Sequence, residues 1–303
     1  MEKQNLFSKF LQKYLSNRDI RSFKGNFFYY ILYRIIRKFL SGNIKVKICN
    51  FFINASTNKN IMSNSLLHKC YFGDEKILAV IKKISDHKKV FLIDCGSNYG
   101  FYSFYLASLS LDNRVLAFEA SSKTYNAFKA NLELNNFKNI EYKNLAINEI
   151  SEKFITFHES LNDWESSATH NNFKNNKMVT VETTTIDKEL LNKNLSNFAA
   201  IIKLDIEGNE FNAIQGGKDA ILRYEPLIII ELSRYNFNNQ NYNFNFFRKF
   251  LDDYKYKIYD DKLVSLNIEI LIDRISTLDQ SHQTIGNYFL IKDFSYVYKE
   301  LLN

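Results

Sequence analysis

The chain reads as an α/β domain, with a mostly parallel sheet, helices on both faces and an N-terminal helical extension. Three observations predict it. Short apolar runs recur at residues 90–93, 115–118, 199–204 and 227–230. Each run is followed by an acid: Asp94, Glu119, Asp205 and Glu231. Amphipathic stretches separate the runs. Short, β-branched-rich runs bounded by polar residues are read as buried parallel strands, and their alternation with helical patterns implies crossover connections. Strands are expected near 90–94, 114–119, 139–143, 152–158, 178–184, 200–205, 227–232 and 287–292. Helices are expected near 99–110, 122–136, 209–223, 241–254 and 293–302.

The first strand and its turn are Val90-Phe-Leu-Ile-Asp-Cys-Gly-Ser-Asn-Tyr-Gly100. Glycines at such a turn let a ligand approach backbone N–H groups. A dinucleotide fingerprint needs G-x-G-x-x-G, but Asn98 stands at the middle glycine and would crowd a pyrophosphate. That counts against a nicotinamide oxidoreductase. No Gly-Lys-Ser/Thr follows, which excludes a P-loop. A polar Asn suits a smaller ligand with a carboxylate and an amine, and S-adenosyl-L-methionine (SAM) has both.

The second strand ends in Glu119, 23 residues after Gly96. That is close to the spacing at which an acid takes ribose hydroxyls. In the fourth run Lys203, Asp205 and Glu207 alternate, so on a continuing strand they share one face. Ligands of open α/β sheets sit outside the carboxyl ends of the strands. Four strands ending in acids therefore describe a cleft rather than a structural core.

The order D-x-G-x-N-x-G, then Phe118-Glu-Ala, Lys203-Leu-Asp-Ile-Glu-Gly-Asn-Glu210 and Ile228-Ile-Ile-Glu231 resembles the FkbM family of SAM-dependent methyltransferases. Val179-Thr-Val-Glu-Thr-Thr-Thr-Ile-Asp187 adds to the likeness. Ala120 departs from it, since the family often has proline there. The resemblance covers about residues 65–293. It divides the chain into a basic, aromatic-rich extension (1–64) and a methyltransferase domain (65–303). It implies a Rossmann-like class I sheet whose last strand, 286–292, inserts antiparallel.

The resemblance also distributes roles. Asp94, Gly96, Ser97, Asn98 and Gly100 are expected around the methionine end of SAM. Glu119 is expected at the ribose, with Ala120 and Ser121 beside it. Leu145 and Ala146, within residues 144–147, are expected at adenine. Asp205 would face the methyl group.

SAM is already an activated electrophile, so the protein must orient the acceptor and manage its proton. Glu207 and Glu231 are the candidate bases, and Asp205 with Glu231 is a candidate Mg²⁺ pair. Lys203 would act as a base if burial lowered its pKa; otherwise it pairs with a neighbouring acid. Glu207 and Glu210 can also be read as acids at a helix N-terminus.

The expected acceptor is a hydroxyl of a sugar, in a surface glycan of polysaccharide biosynthesis or a glycosylated metabolite. The polar stretch 162–170 contains the only tryptophan, Trp164, a composition that suits a pyranose face. His158, His170 and His282 receive no role. Alternatives are a lipid or protein acceptor at a membrane, or an RNA-binding methyltransferase-like module.

Charge is unevenly placed. Residues 1–89 hold 18 Lys/Arg and 5 Asp/Glu, a net of +13. The whole chain is +7, which leaves −6 for residues 90–303. An acidic catalytic part argues against nucleic acid lying across it. In the first 40 residues Phe7, Phe10, Leu11, Tyr14 and Leu15 recur at helical spacing, and Arg34, Arg37 and Lys38 follow an apolar run at 27–33. Such a segment is expected to cap the domain, to pair two chains as a homodimer, or to make peripheral contact with an anionic membrane. The run is too short to span a bilayer, and no signal-peptide pattern is visible. Three cysteines (49, 70, 95) without C-x-x-C spacing fit a reducing, cytoplasmic location, in solution or at the inner face of the membrane.

Overall fold

The computed structural model describes residues 13, 18–24, 26–36, 43–56, 66, 74–160, 176–238, 242–277 and 285–302. Ile20–Phe23 form a 3-10 turn and Phe27–Ile36 form helix α1. Tyr29 and Tyr33 of α1 are buried, while Phe27, Phe28 and Ile31 are exposed. A hairpin follows, β1 (Asn43–Ile48) and β2 (Phe51–Ser56), paired antiparallel. It corrects the expectation of a purely helical extension. The cause is a period of two: Ile44, Val46 and Ile48 are buried, and Lys45 and Lys47 between them are not. Residues 7, 10, 11, 14 and 15 lie outside the described residues. Among those described, no helix is long and apolar enough to cross a membrane.

The remaining elements are α2 (Glu75–His87), β3 (Val90–Cys95), α3 (Phe101–Leu109), β4 (Arg114–Phe118), α4 (Ser122–Asn135), β5 (Ile140–Lys143), β6 (Ala146–Ile147), β7 (Phe154–Ser160) and β8 (Asn176–Thr184). They continue with α5 (Ile186–Leu190), β9 (Ala199–Leu204), α6 (Glu210–Gln215), α7 (Lys218–Tyr224), β10 (Leu227–Ser233), α8 (Arg234–Asn238) and α9 (Phe244–Tyr254). The last are β11 (Tyr256–Tyr259), β12 (Ser265–Leu266), α10 (Ile268–Thr277), β13 (Ile285–Lys292) and α11 (Tyr296–Leu302).

The main sheet runs β12-β11-β13-β10-β9-β3-β4-β5. Strands β5, β4, β3, β9 and β10 are parallel, and β13 inserts antiparallel between β10 and β11. The order of connection reverses between β3 and β9, so this is the switch point beside which ligands bind. A smaller sheet, β6-β8-β7, follows β5 in the chain.

The faces of the sheet bury separate cores, as alternation along β3 shows. Val90 and Leu92 join the core shared with the hairpin, α2, α3 and α11. Phe91, Ile93 and Cys95 join the core under α6, α7 and α9. The hairpin therefore packs into the same core as one face of the main sheet. Asn135 of α4 bonds both backbone groups of Phe52, at 2.6 and 2.7 Å, and Asn131 accepts from the Asn54 N–H at 2.9 Å.

The expected helix at 209–223 is instead two helices. The break falls at Gly216–Gly217, where a Cβ on Gly216 would lie 2.3 Å from the Asn148 carbonyl oxygen. That close approach requires glycine, and glycine favours the break.

Candidate active site

Three residues of the turn after β3 have left-handed backbone: Gly96 (φ 80), Asn98 (φ 49) and Gly100 (φ 88). The reason for the glycines differs from the expected ligand approach. A Cβ on Gly96 would lie 1.9 Å from the Asp205 carbonyl oxygen, so the turns after β3 and β9 touch there. A Cβ on Gly100 would lie 2.6 Å from the Phe104 ring and 2.8 Å from Phe128. Asparagine tolerates the left-handed region. That conformation lets the Asn98 N–H donate to Glu119 Oε2 at 2.8 Å.

Glu119 is held from both sides, since the Ser121 N–H donates to its Oε1 at 2.9 Å. Burial raises its pKa, against these hydrogen bonds. Ser121 also caps α4, and its hydroxyl donates to Glu159 at 2.8 Å. Asp94 is fully buried. Its Oδ2 accepts from the Ser103 hydroxyl at 2.6 Å, and its Oδ1 has no hydrogen-bond partner among the described residues.

The turn after β9 carries the other acids. Lys203 is 2% exposed, donates to Asp205 Oδ2 at 2.6 Å and lies 4.6 Å from the Tyr102 ring centre. Burial acts to lower its pKa, but Asp205 and the surrounding groups outweigh burial and raise it. Lys203 therefore stays an ammonium and is not a base.

Parallel register sets Ile230 of β10 beside Leu204 of β9, so Glu231 and Asp205 meet just beyond. They share a hydrogen bond. Burial and the Asp205 charge push Glu231 well above the carboxylate range, while Lys203 and the bond from Glu231 hold Asp205 below it despite burial. Glu231, expected as a base, holds its proton more tightly than an ordinary carboxyl and directs it toward Asp205. Asp205, expected with Glu231 as a Mg²⁺ pair, is bound to the Lys203 ammonium. Among the described residues, no three His, Cys, Asp or Glu side chains group as metal ligands.

Glu207 (φ 54) and Gly208 (φ 102) bend the chain after Asp205. Glu210 folds that bend. Its carboxylate accepts from the N–H of Ile206 at 3.1 Å and of Gly208 at 3.0 Å. Burial raises the Glu210 pKa from the ordinary 4.5 to about 7. Between those values the folded protein holds a proton that the unfolded chain has released. The resulting stabilisation is fully present below pH 4.5 and is lost as pH rises through 7. Burial raises Asp94 and Glu119 in the same direction. Unfolding free energy in urea is thus expected to fall between pH 5 and pH 8. Glu210→Gln should remove a measurable part of that slope, and an unchanged slope would refute the assignment.

These groups lie at and behind the wall of an open cavity. Gly96, Asn98, Glu119, Asp205 and Glu207 form its polar side. Leu145, Ala146, Ile147, Ile155 and Phe157 form an apolar wall, and Ala120 lies between the two. Asp94, Ser97, Gly100, Ser121 and Glu231 stand behind the lining. Ile155 and Phe157 were not expected, although their alternation on β7 is visible in the sequence. Asn209 was also missed; its side chain donates to the Ile147 carbonyl at 2.7 Å and ties the apolar wall to the acidic turn. His158 does not line the cavity. Trp164, His170 and His282 lie outside the described residues.

Residues 94–258 match the family model of the methyltransferase FkbM domain. The chain belongs to this family. The matched FkbM segment runs from Asp94 into β11 and includes every residue lining the cavity. A curated relative, Methyltransferase 1 of Beauveria bassiana (strain ARSEF 2860), is 24% identical over 161 residues, 47% of this chain and 64% of that protein. The crystal structure of methyltransferase FkbM from Methylobacillus flagellatus KT is 18% identical, with 67% of this chain and 44% of that one covered and a TM-score of 0.39. A Streptococcus mutans protein described as a methyltransferase, solved with S-adenosylhomocysteine (SAH), is 14% identical over 73% of this chain and 99% of its own, with a TM-score of 0.41. This chain spans less than two thirds of the curated relative and less than half of the solved FkbM protein.

The donor set of this FkbM domain fits SAM. Glu119 offers oxygens to a diol, the β6–β7 wall offers an apolar slot to adenine, and ionised Asp205 tolerates a sulfonium nearby.

Proposed function

We propose that this FkbM domain binds SAM in the cavity and transfers its methyl group to a hydroxyl, preferentially of a sugar in a surface glycan or a glycosylated metabolite. The carrying observation is Glu119. Its two oxygens take one backbone N–H each and a further bond from the Thr124 side chain, which leaves acceptor capacity for a ribose hydroxyl. The carboxylate is pre-oriented, so little ordering cost remains on binding. SAM supplies the activated methyl. The chain must then orient the acceptor and accept its proton. Asp205 and Glu207 line the cavity and Glu231 does not, so they are the carboxyls placed to take that proton. Family membership and the acidic balance of residues 90–303 support a compact hydroxyl acceptor over a long polyanion.

Isothermal titration with SAM, SAH and NADH tests the donor. Micromolar affinity for SAM and SAH is expected, falling about 10- to 100-fold in Glu119→Ala, the worth of a charge-assisted bond pair. Binding of NADH in their place would overturn the reading. With the donor established, transfer of labelled methyl from SAM to free glycosides tests the acceptor class.

A further inference from the structure

Residues 90–303 contain five arginines: Arg114, Arg223, Arg234, Arg248 and Arg274. Four are engaged. Arg114 donates to the carbonyls of Leu111 and Asn113, at 2.6 and 3.0 Å. Arg223 lies 5.1 Å from the Tyr224 ring centre. Arg248 pairs with Glu269 at 2.8 Å and Arg274 with Asp260 at 3.4 Å. Arg234 has no hydrogen-bond, ion-pair or ring partner among the described residues. Yet it is half-buried, and its Nε is sealed from solvent without an acceptor. A buried donor left unpaired costs about 1–3 kcal/mol, and more when charged. Such a cost calls for an acceptor that arrives from outside.

The position of Arg234 says where. It directly follows Ser233, the last residue of β10, at the carboxyl edge of the sheet. Glu231, bonded to Asp205 of the cavity, lies three residues earlier, at most about 10 Å of chain. The lining contributed by the main sheet comes from the ends of β3, β4 and β9, and β10 is the next strand beyond Asp205. A donor bound beside Glu119 leaves the β10 side for the acceptor. Charge then sets the acceptor's direction. Asp205 and Glu207 repel an anion at the transfer point, and Arg234, on the β10 side, attracts one.

We propose that Arg234 is an acceptor-binding residue that takes an oxyanion, carboxylate or phosphate, carried by the sugar whose hydroxyl is methylated. The substrate class is therefore an acidic sugar, a uronate or a sugar phosphate. The planar guanidinium matches both groups with two parallel hydrogen bonds. This assignment rests on the donor occupying the cavity as proposed above.

The test is isothermal titration of the full chain, saturated with SAH, with glucuronate, glucose 1-phosphate and methyl glucoside. At least one charged sugar is expected to bind more tightly than the neutral one, and which of the two does so distinguishes carboxylate from phosphate. Arg234→Gln should weaken that binding about 10- to 100-fold and leave SAH affinity unchanged, with Arg234→Lys between them. Equal affinity for charged and neutral sugars overturns the proposal. So does absence of charged-sugar binding at millimolar concentration, or an Arg234→Gln protein that binds like the wild type. Failure of the wild type to bind SAH is seen before any sugar is added, and it overturns the donor reading on which this one depends.

Discussion

Lys203→Met is expected to slow methyl transfer sharply at neutral pH and to cost about 3 kcal/mol of stability, the low end for breaking a buried pair, because Asp205 keeps a third of its side chain open. The methionine fills the stem's volume but removes the charge. Three carboxyls, Asp94, Asp205 and Glu231, then share the site without a cation. Asp205 is the one now held ionised, chiefly against burial and by Lys203. Without the ammonium its pKa must rise. A reaction that needs the ionised Asp205 gains rate as pH passes that pKa from below, so the acid limb of kcat/KM should move to higher pH. Urea unfolding and the pH–rate profile check the two halves separately. Wild-type stability together with an unmoved acid limb would show that the ammonium does not set the charge of the site.

Gly96→Ala should be equally damaging for a steric reason. The added methyl would meet the Asp205 carbonyl oxygen at 1.9 Å and its carbon at 2.9 Å, both backbone atoms. The φ of +80° adds strain for any residue with a Cβ. Together these cost about 2–6 kcal/mol, from left-handed strain and overpacking at about 1–3 each. The two turns must separate, and they carry Asn98, Asp205 and Glu207. SAH affinity is therefore expected to vanish along with much of the stability. Gly217→Ala is the control. There the nearest atoms are Ile186 side-chain carbons at 3.1 and 3.2 Å and the backbone is ordinary, so a small effect is expected. Equal effects of the two substitutions in urea unfolding would mean that contact between the turns is unimportant.

Much of this site was legible because buried parallel strands are continuous apolar runs whose ends stand out. Asp94, Glu119, Asp205 and Glu231 mark those ends in the sequence, and the fold brings the four strands together. The reason for Gly96 was not legible, because it depends on a carbonyl more than 100 residues away. The charge states of Lys203 and Glu231 were hidden too. They follow from the register of β9 and β10, which decides which carboxyl faces which. Helix α2 escaped although its signals are local: Asp74 caps it, and Ile77, Ile81 and Ile84 recur on one face. Strand β11 and helix α10, short and set between polar stretches, were missed as well. The hairpin escaped because its alternation is brief and sits inside a basic segment that reads as helix overall.

That hairpin has a consequence for the order of events during synthesis. Its partners Asn131 and Asn135 come 77 and 83 residues later in the chain. At about 5–20 residues per second the ribosome needs about 4–16 s to make the surface on which Phe51, Ile53 and Ala55 come to rest. The strands translated early are thus among the last to be covered. Lys45, Lys47 and Asn54, alternating with the apolar residues, give the waiting hairpin a charged and polar face against premature pairing with another chain.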